Sequence, residues 1–173
     1  MEHTLEALQR TATFAGISRD ALGFLLEKSR MLTVPAGHVF FTEHDHGDTF
    51  YLIEEGRVGI HKTKGGVRRE VGELGAGECF GEMALLSVSD RSGTVTALEP
   101  CVCLELSNRS LLELYRVDAG QFAMIMMNLG REVCRRLRDL NDRLLSDLVV
   151  ARGAGLELEG DCTGAGLGAK DTG

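Results

Sequence analysis

A glycine, a carboxylate and an arginine lie close together in the stretch Phe80–Ala97, FGEMALLSVSDRSGTVTA. Gly81 and Glu82 open a short apolar turn, and Arg91 follows the carboxylate after a short loop. The first turn of a helix has free N–H groups and a partial positive charge, so a helix that begins near Gly81 can accept an anion. Because glycine lacks a Cβ atom, an anionic oxygen can approach the backbone closely there. These residue types predict a phosphate-binding site.

The other side chains of this stretch indicate how the anion would be held. Met83 and Ala84 offer further backbone N–H groups in the first helical turn, and Arg91 carries a planar fork of donors that suits a phosphate. Glu82 would repel a phosphate unless it had another partner, such as sugar hydroxyls. The simpler alternative is that this carboxylate only complements the helix N-terminus.

Short β-type runs separated by glycines surround this stretch, from Met31 to Leu106. Strands this short, without long helices between them, are typical of an antiparallel barrel or roll. Helical spacing flanks the roll: residues 4–30 precede it, with Ser18 as a predicted N-cap, and a helix capped by Ser107 follows it. The chain ends in a glycine-rich segment whose composition predicts a flexible tail.

A longer helical segment runs from about Gln121 to Val150. Its apolar residues recur at steps of three and four and form one continuous stripe. The stripe consists of Phe122, Ile125, Leu129, Val133, Leu137, Leu140, Leu144 and Leu148. Since one chain cannot bury so long a stripe beside a small ligand, the helix predicts a homodimer.

Composition narrows the classes of function. The length of 173 residues favours one main domain. The formal net charge of −7 and the pI near 5.2 disfavour nonspecific binding to nucleic acid or to an anionic membrane. We find no apolar run of membrane-spanning length, no signal peptide and no paired nucleophile and base, and the five cysteines are odd in number. We therefore expect a cytoplasmic protein with reduced thiols that is not an enzyme.

The stretch FGEMALLSVSDRSGTV resembles the phosphate-binding cassette of cyclic nucleotide-binding domains, F-G-E-(L/M)-A-L-L followed by a loop and R-(A/S/T)-A-T-V. The segment GDTFYLIEEGRV is similar to another recurrent family pattern, G-D-x-x-Y-x-I-x-x-G-x-V. The resemblance extends from Phe14 to roughly Leu145 and is to domains of the catabolite activator and protein kinase A regulatory type. It implies a mainly β fold with flanking helices (α+β), an antiparallel eight-stranded β-roll or jelly roll.

The resemblance also divides the chain. It implies N-terminal helices that pack on the roll over residues 1–30 and a nucleotide-binding roll over 31–120, with the cassette at 80–95. A C-terminal lid and dimerisation helix follows at 121–150, and the flexible tail occupies 151–173. No helix-turn-helix domain fits in the residues after Val150, so a stand-alone member without direct DNA binding is expected.

The family's site roles are assigned residue by residue. Gly81, Met83 and Ala84 would supply backbone donors to the cyclic phosphate. Glu82 would accept from the ribose 2′-hydroxyl, which gives the carboxylate its partner, and Arg91 would bond an exocyclic phosphate oxygen.

The residues that would contact the base of the ligand are less clearly indicated by the resemblance. Ser92 would lie near the base and the phosphate, where serine favours neither adenine nor guanine, and Gly93 replaces the usual alanine. Arg131, Arg135 and Arg138 share one helix face, which is most often solvated, and Arg135 is our choice for a side chain that caps the base.

Two histidines in EHDHGD, His44 and His46, raise the alternative of a metal site. Metal ligands usually converge from a rigid frame, whereas these lie on a glycine-containing turn, so we expect a solvated loop and no metal.

The resemblance implies a cyclic nucleotide sensor that needs no cofactor beyond its ligand. Binding of cAMP, with cGMP as the second choice, would shift the closing helix and change a surface that an unknown protein partner reads. The alternative is an interaction or scaffold module that keeps the fold but does not respond to a ligand. Titration with cAMP separates the two.

Overall fold

The computed structural model describes residues 2–153. The chain divides into two compact units, residues 1–135 and 136–173. The described part of the second unit is helical and ends at residue 153. Nearly all of the predicted tail therefore lies outside the described residues.

Eight strands of the described residues form two antiparallel sheets, as predicted for a β-roll. The first sheet has the order β1-β8-β3-β6 and the second β2-β7-β4-β5. Their bounds are β1 Arg30–Val34, β2 Val39–Phe41, β3 Thr49–Glu55, β4 Val58–Lys64, β5 Val67–Leu74, β6 Cys79–Phe80, β7 Thr94–Ala97 and β8 Cys101–Ser107. The antiparallel eight-stranded fold with flanking helices is confirmed.

The described residues also form helices α1 Glu2–Gln9, α2 Arg19–Glu27, α3 Glu82–Ser87 (between β6 and β7), α4 Asn108–Val117 and α5 Ala119–Gly153. Both predicted N-caps are confirmed, because Ser18 Oγ accepts from the N–H of Ala21 and Ser107 Oγ from that of Ser110. Residues 4–30 are not continuously helical, and Gly16 takes a left-handed φ of 76° in the connection between α1 and α2. Among the described helices, none is long and apolar enough to cross a membrane.

The two faces of strand β3 belong to two different hydrophobic clusters. Phe50 and Leu52 belong to a cluster that joins the first sheet to the N-terminal helices and to the start of α5. Tyr51 and Ile53 point the other way, into a cluster between the two sheets. The run FYLI therefore reads as continuously apolar because both of its faces are buried. The second cluster fills the interior of the roll and borders the cassette.

The cysteines of the described part are free thiols: Cys79, Cys101, Cys103 and Cys134. Cys101 and Cys103 share the interior face of β8. Burial raises the pKa of the Cys103 thiol to about 12. A buried neutral thiol of this kind acts as a small apolar core residue rather than as a nucleophile.

Candidate phosphate-binding site

The predicted cassette forms strand β6, helix α3 and the start of β7. Gly81, between β6 and α3, adopts a left-handed conformation with φ 83°. A Cβ atom at this position would lie 2.7 Å from Nη1 of Arg91. Both the backbone conformation and the close approach of the arginine therefore require glycine here.

The side chain of Arg91 turns back onto Gly81 and is only 4% exposed. Its Nη1 donates to the carbonyl oxygens of Thr49, at 2.7 Å, and of Gly81, at 3.0 Å. Nη2 donates to Thr49 Oγ1 at 3.0 Å. The guanidinium carbon lies 4.1 Å from the centroid of the Phe41 ring, a cation–π distance. The structure thus brings together two of the predicted site residues and adds Thr49 and Phe41.

The Arg91 guanidinium is a buried cation whose hydrogen-bond acceptors are neutral. Within the described residues it makes no ion pair, and its Nε has no hydrogen-bond partner. Burial lowers the pKa of Arg91, although the negative charges of Asp48, Asp45 and Glu82 act against this shift through space. A buried charge is costly without a counterion, so an anion that entered here would find a favourable partner.

The remaining cassette residues lie on and around α3. Glu82 and Ala84 are buried, whereas Met83 is exposed. Ser92 is partly exposed, and its Oγ lies 3.5 Å from the sulfur of Met83. The start of β7 and the first turn of α3 therefore adjoin each other, and a ligand at this turn would be within reach of Ser92.

The loop of residues 43–48, here called the histidine loop, positions Arg91 through backbone hydrogen bonds. The N–H of Arg91 donates to the carbonyl of Asp45 at 2.8 Å, and the N–H of His44 donates to the carbonyl of Arg91 at 2.9 Å. A Cβ atom on the buried Gly47 would lie 2.6 Å from Arg91 Nε, so only glycine lets this loop cover the guanidinium. In the described part of the chain, no group of three or more histidine, cysteine or acidic side chains is placed to hold a metal. From the sequence we considered only a metal site or a solvated loop here and did not predict that the loop covers Arg91. The glycine at position 47 was the feature that could have indicated it.

Arg135 lies on α5 between two carboxylates. It bonds both carboxylate oxygens of Glu132 and reaches Glu78 at 3.4 Å. Arg131, on the same helix face, donates to Asn128, whose amide in turn donates to backbone carbonyls that precede α2. Neither carboxylate partner of Arg135 belongs to the predicted nucleotide contacts, so its base-capping role stays a prediction.

Of two surface cavities in the described part of the chain, one borders the cassette and the other does not. One, of about 310 Å³, is bordered by Ala84 and Leu85 of α3, by α4 and by the histidine loop. The other, of about 340 Å³, lies between α1 and β3. Neither is lined by Gly81 or Arg91. The space beside Gly81 is occupied by the folded-back side chain of Arg91 itself.

Comparisons with known proteins agree on one family. The sequence profile of the cyclic nucleotide-binding domain matches residues 31–118. The "Cyclic AMP receptor protein" of Thermus thermophilus is 34% identical over 136 residues, which are 77% of this chain and 61% of that protein. The "cAMP-dependent protein kinase regulatory subunit" of Yarrowia lipolytica is 31% identical over 106 residues, 61% of this chain and 27% of that protein. The chain thus spans less than two thirds of the length of either relative.

A solved structure shows the same fold over most of the chain. The crystal structure of a cyclic nucleotide-binding domain from Methylobacillus flagellatus superposes with a TM-score of 0.75 at 25% identity. The superposition covers 84% of this chain and 83% of that one.

Proposed function

Because the chain belongs to the cyclic nucleotide-binding domain family, we propose that it is a regulatory protein that binds cAMP or, less favourably, cGMP at the cassette from Gly81 to Ser92. The observation that carries this proposal is the Arg91 guanidinium, buried beside Gly81 among neutral acceptors. The printed names of the Thermus and Yarrowia relatives, both of which refer to cAMP, support the choice of ligand.

The phosphate would enter by an exchange of hydrogen bonds. The bonds from Arg91 to Gly81 and to the Thr49 hydroxyl are replaced by bonds to an exocyclic phosphate oxygen, which supplies the missing counterion. The N–H groups of Met83 and Ala84, in the first turn of α3, donate to the same phosphate. This exchange explains how a site that is closed by its own arginine can still bind an anion.

The sugar and the base would lie on either side of the phosphate. Glu82 accepts from the ribose 2′-hydroxyl, which is a neutral partner for a buried carboxylate beside an anion. Ser92, partly exposed next to Met83, faces the base. Arg135 caps the base only if a ligand draws it away from Glu132 and Glu78. No bond of the nucleotide is broken in this scheme, so we propose no catalytic role.

The output would pass through α5 to a protein partner and to a second copy of the chain. In the second unit the side chains of Leu137, Leu140 and Leu144 are 54%, 43% and 52% exposed. Exposed leucines at this spacing support self-association along the helix, as a twofold pair. Ligand binding would change the position of the first part of α5, and the partner would read that change.

Calorimetric titration of the purified protein with cAMP, cGMP and a cyclic dinucleotide tests the proposal. We expect saturable binding of cAMP at one site per chain, weaker binding of cGMP, and loss of affinity for both in Arg91→Ala. Absence of binding for all three ligands would refute the sensor and favour the scaffold module, which keeps the roll without a ligand response.

A further inference from the structure

The hairpin of β4 and β5 is a strongly basic segment in an acidic chain. Lys62, Lys64, Arg68 and Arg69 all lie on it, and all four are exposed, whereas the whole chain has a net charge of −7. Among the described residues, none of these four cations takes part in an ion pair. The hairpin therefore presents concentrated positive charge without an ion pair, although the Glu43 carboxylate accepts from the N–H of Thr63, between Lys62 and Lys64, at 2.9 Å.

The acidic residues of the same hairpin do not neutralise this charge. Glu70 faces His61, with Oε2 3.7 Å from Nε2, and Glu73 is paired with Arg57 at 3.0 Å. Arg68 donates to a neutral hydroxyl, that of Thr96, at 3.3 Å. The strand register also places Lys62 directly opposite Arg69, an arrangement of like charges that lowers the stability of a sheet.

Lys62 and Arg69 lie on the hairpin face that lines the roll farther along β4, but at its exposed end. Ile60 lies opposite Val95 of β7, and both pack in the cluster between the two sheets. Since alternate residues of a strand share a face, Lys62 points the same way as Ile60, and Arg69 follows as its cross-strand partner. Arg68, one residue earlier, lies on the opposite face.

Lys62 borders the cassette, and Arg69 lies one strand farther from it, on the edge strand β5. His61 lies opposite Thr94, at the start of β7. A Cβ atom on Gly93 would be 3.7 Å from Cγ of Lys62, so the glycine leaves room for that side chain. Gly93 follows Arg91 by two residues, which span at most about 7 Å of extended backbone. The stem of Lys62 therefore lies beside the end of the cassette.

We propose that Lys62 and Arg69 form a cationic rim that draws the anionic ligand into the phosphate site. The inference rests on the proposed function, because it assigns a role to residues beside the same site. The chain's net negative charge repels a nucleotide at long range, and the rim supplies a local attraction that offsets this repulsion. Such charges act on the association rate, because they attract the ligand before the hydrogen bonds to Arg91 form.

Stopped-flow association of cAMP with the full chain tests the rim. Arg69→Gln and Arg68→Gln remove one charge each from neighbouring positions on opposite faces, so Arg68→Gln is the matched control. A unit charge about 10 Å away in water changes the association rate by about twofold. We therefore expect about a twofold decrease for Arg69→Gln and about fourfold for Lys62→Gln with Arg69→Gln at low salt, with a smaller change for the control. The decreases should largely disappear at about 0.5 M salt, with dissociation rates unchanged.

Three results would overturn the rim. Association rates equal to wild type would mean that the charges only protect the exposed edge of β5 against pairing with other strands. Equal slowing by Arg68→Gln and Arg69→Gln would show a general charge effect without a directed rim, and a change confined to the dissociation rate would show a direct contact. Thermal unfolding of each variant verifies that it is folded. If the wild type binds neither cAMP nor cGMP, the proposed function fails and the inference fails with it, whereas normal binding with unchanged association rates refutes the rim alone.

Discussion

Replacing Arg91 with alanine removes the central donor of the proposed phosphate site. In the structure the guanidinium donates three hydrogen bonds, to two carbonyl oxygens and the hydroxyl of Thr49. A phosphate gains two bonds from this fork in place of the bonds to the neutral Gly81 carbonyl and Thr49 hydroxyl, and we take the net gain as that of about one charge-assisted bond. Such a bond contributes about 1.5 to 3 kcal/mol. Arg91→Ala should therefore weaken cAMP binding about tenfold to 150-fold.

Isothermal titration calorimetry at 25 °C measures this loss, with Arg91→Lys and Arg109→Ala as companions. Lysine keeps the charge but not the two-pronged geometry, so it should recover only part of the affinity. Arg109 is an exposed arginine paired with Glu113, and Arg109→Ala should bind like wild type. Arg91→Ala leaves Thr49 and Gly81 oxygens without their donor, so we also expect a lower melting temperature, with the domain still folded at 25 °C.

Equal cAMP affinities for wild type and Arg91→Ala would refute the assignment of the phosphate site. A loss of affinity that Arg91→Lys restored completely would refute the fork geometry while leaving a simple charge requirement.

Four further predictions follow from the same structure. Glu82→Gln should reduce the preference for cAMP over its 2′-deoxy analogue more than it alters phosphate recognition, and equal discrimination by calorimetry would leave Glu82 as a helix-end carboxylate only. Ser92→Ala should shift selectivity toward cAMP and Ser92→Thr toward cGMP, because the hydroxyl can accept from the guanine 2-amino group; an unchanged ratio in a competition assay would exclude Ser92 from base choice. Leu140→Asp combined with Leu144→Asp should give a monomer that still binds nucleotide, and a wild type that sediments as a monomer with and without cAMP would contradict the dimer. Cys103 has a pKa near 12 in the fold and about 8.5 when unfolded, so the unfolded state loses this proton first as pH rises. Cys103 should leave the free energy of unfolding unchanged below about pH 8.5 and lower it between that pH and pH 12. Denaturant titrations in which the free energy of unfolding of Cys103→Ala decreases with pH as steeply as that of wild type would refute this.

Local spacing was sufficient to predict the elements and the cassette. Helix N-caps depend on a side chain and an N–H group three residues apart, so Ser18 and Ser107 were recognisable from the chain alone. Strand alternation and the glycines between strands likewise depend on neighbouring residues, and they predicted an antiparallel roll. Gly81 and Arg91 were identified together because they lie only ten positions apart, within one short motif.

Contacts between distant segments required the tertiary structure. Thr49 binds Arg91 across 42 positions, and the histidine loop covers the guanidinium with Gly47. No periodicity predicts either contact, because strand order and register decide which segments meet. The same register places Lys62 and Arg69 on one face of the hairpin and Arg68 on the other, although in the sequence these cations look alike. Side-chain chemistry is a local property, whereas burial, partner and facing direction arise only when strands pair.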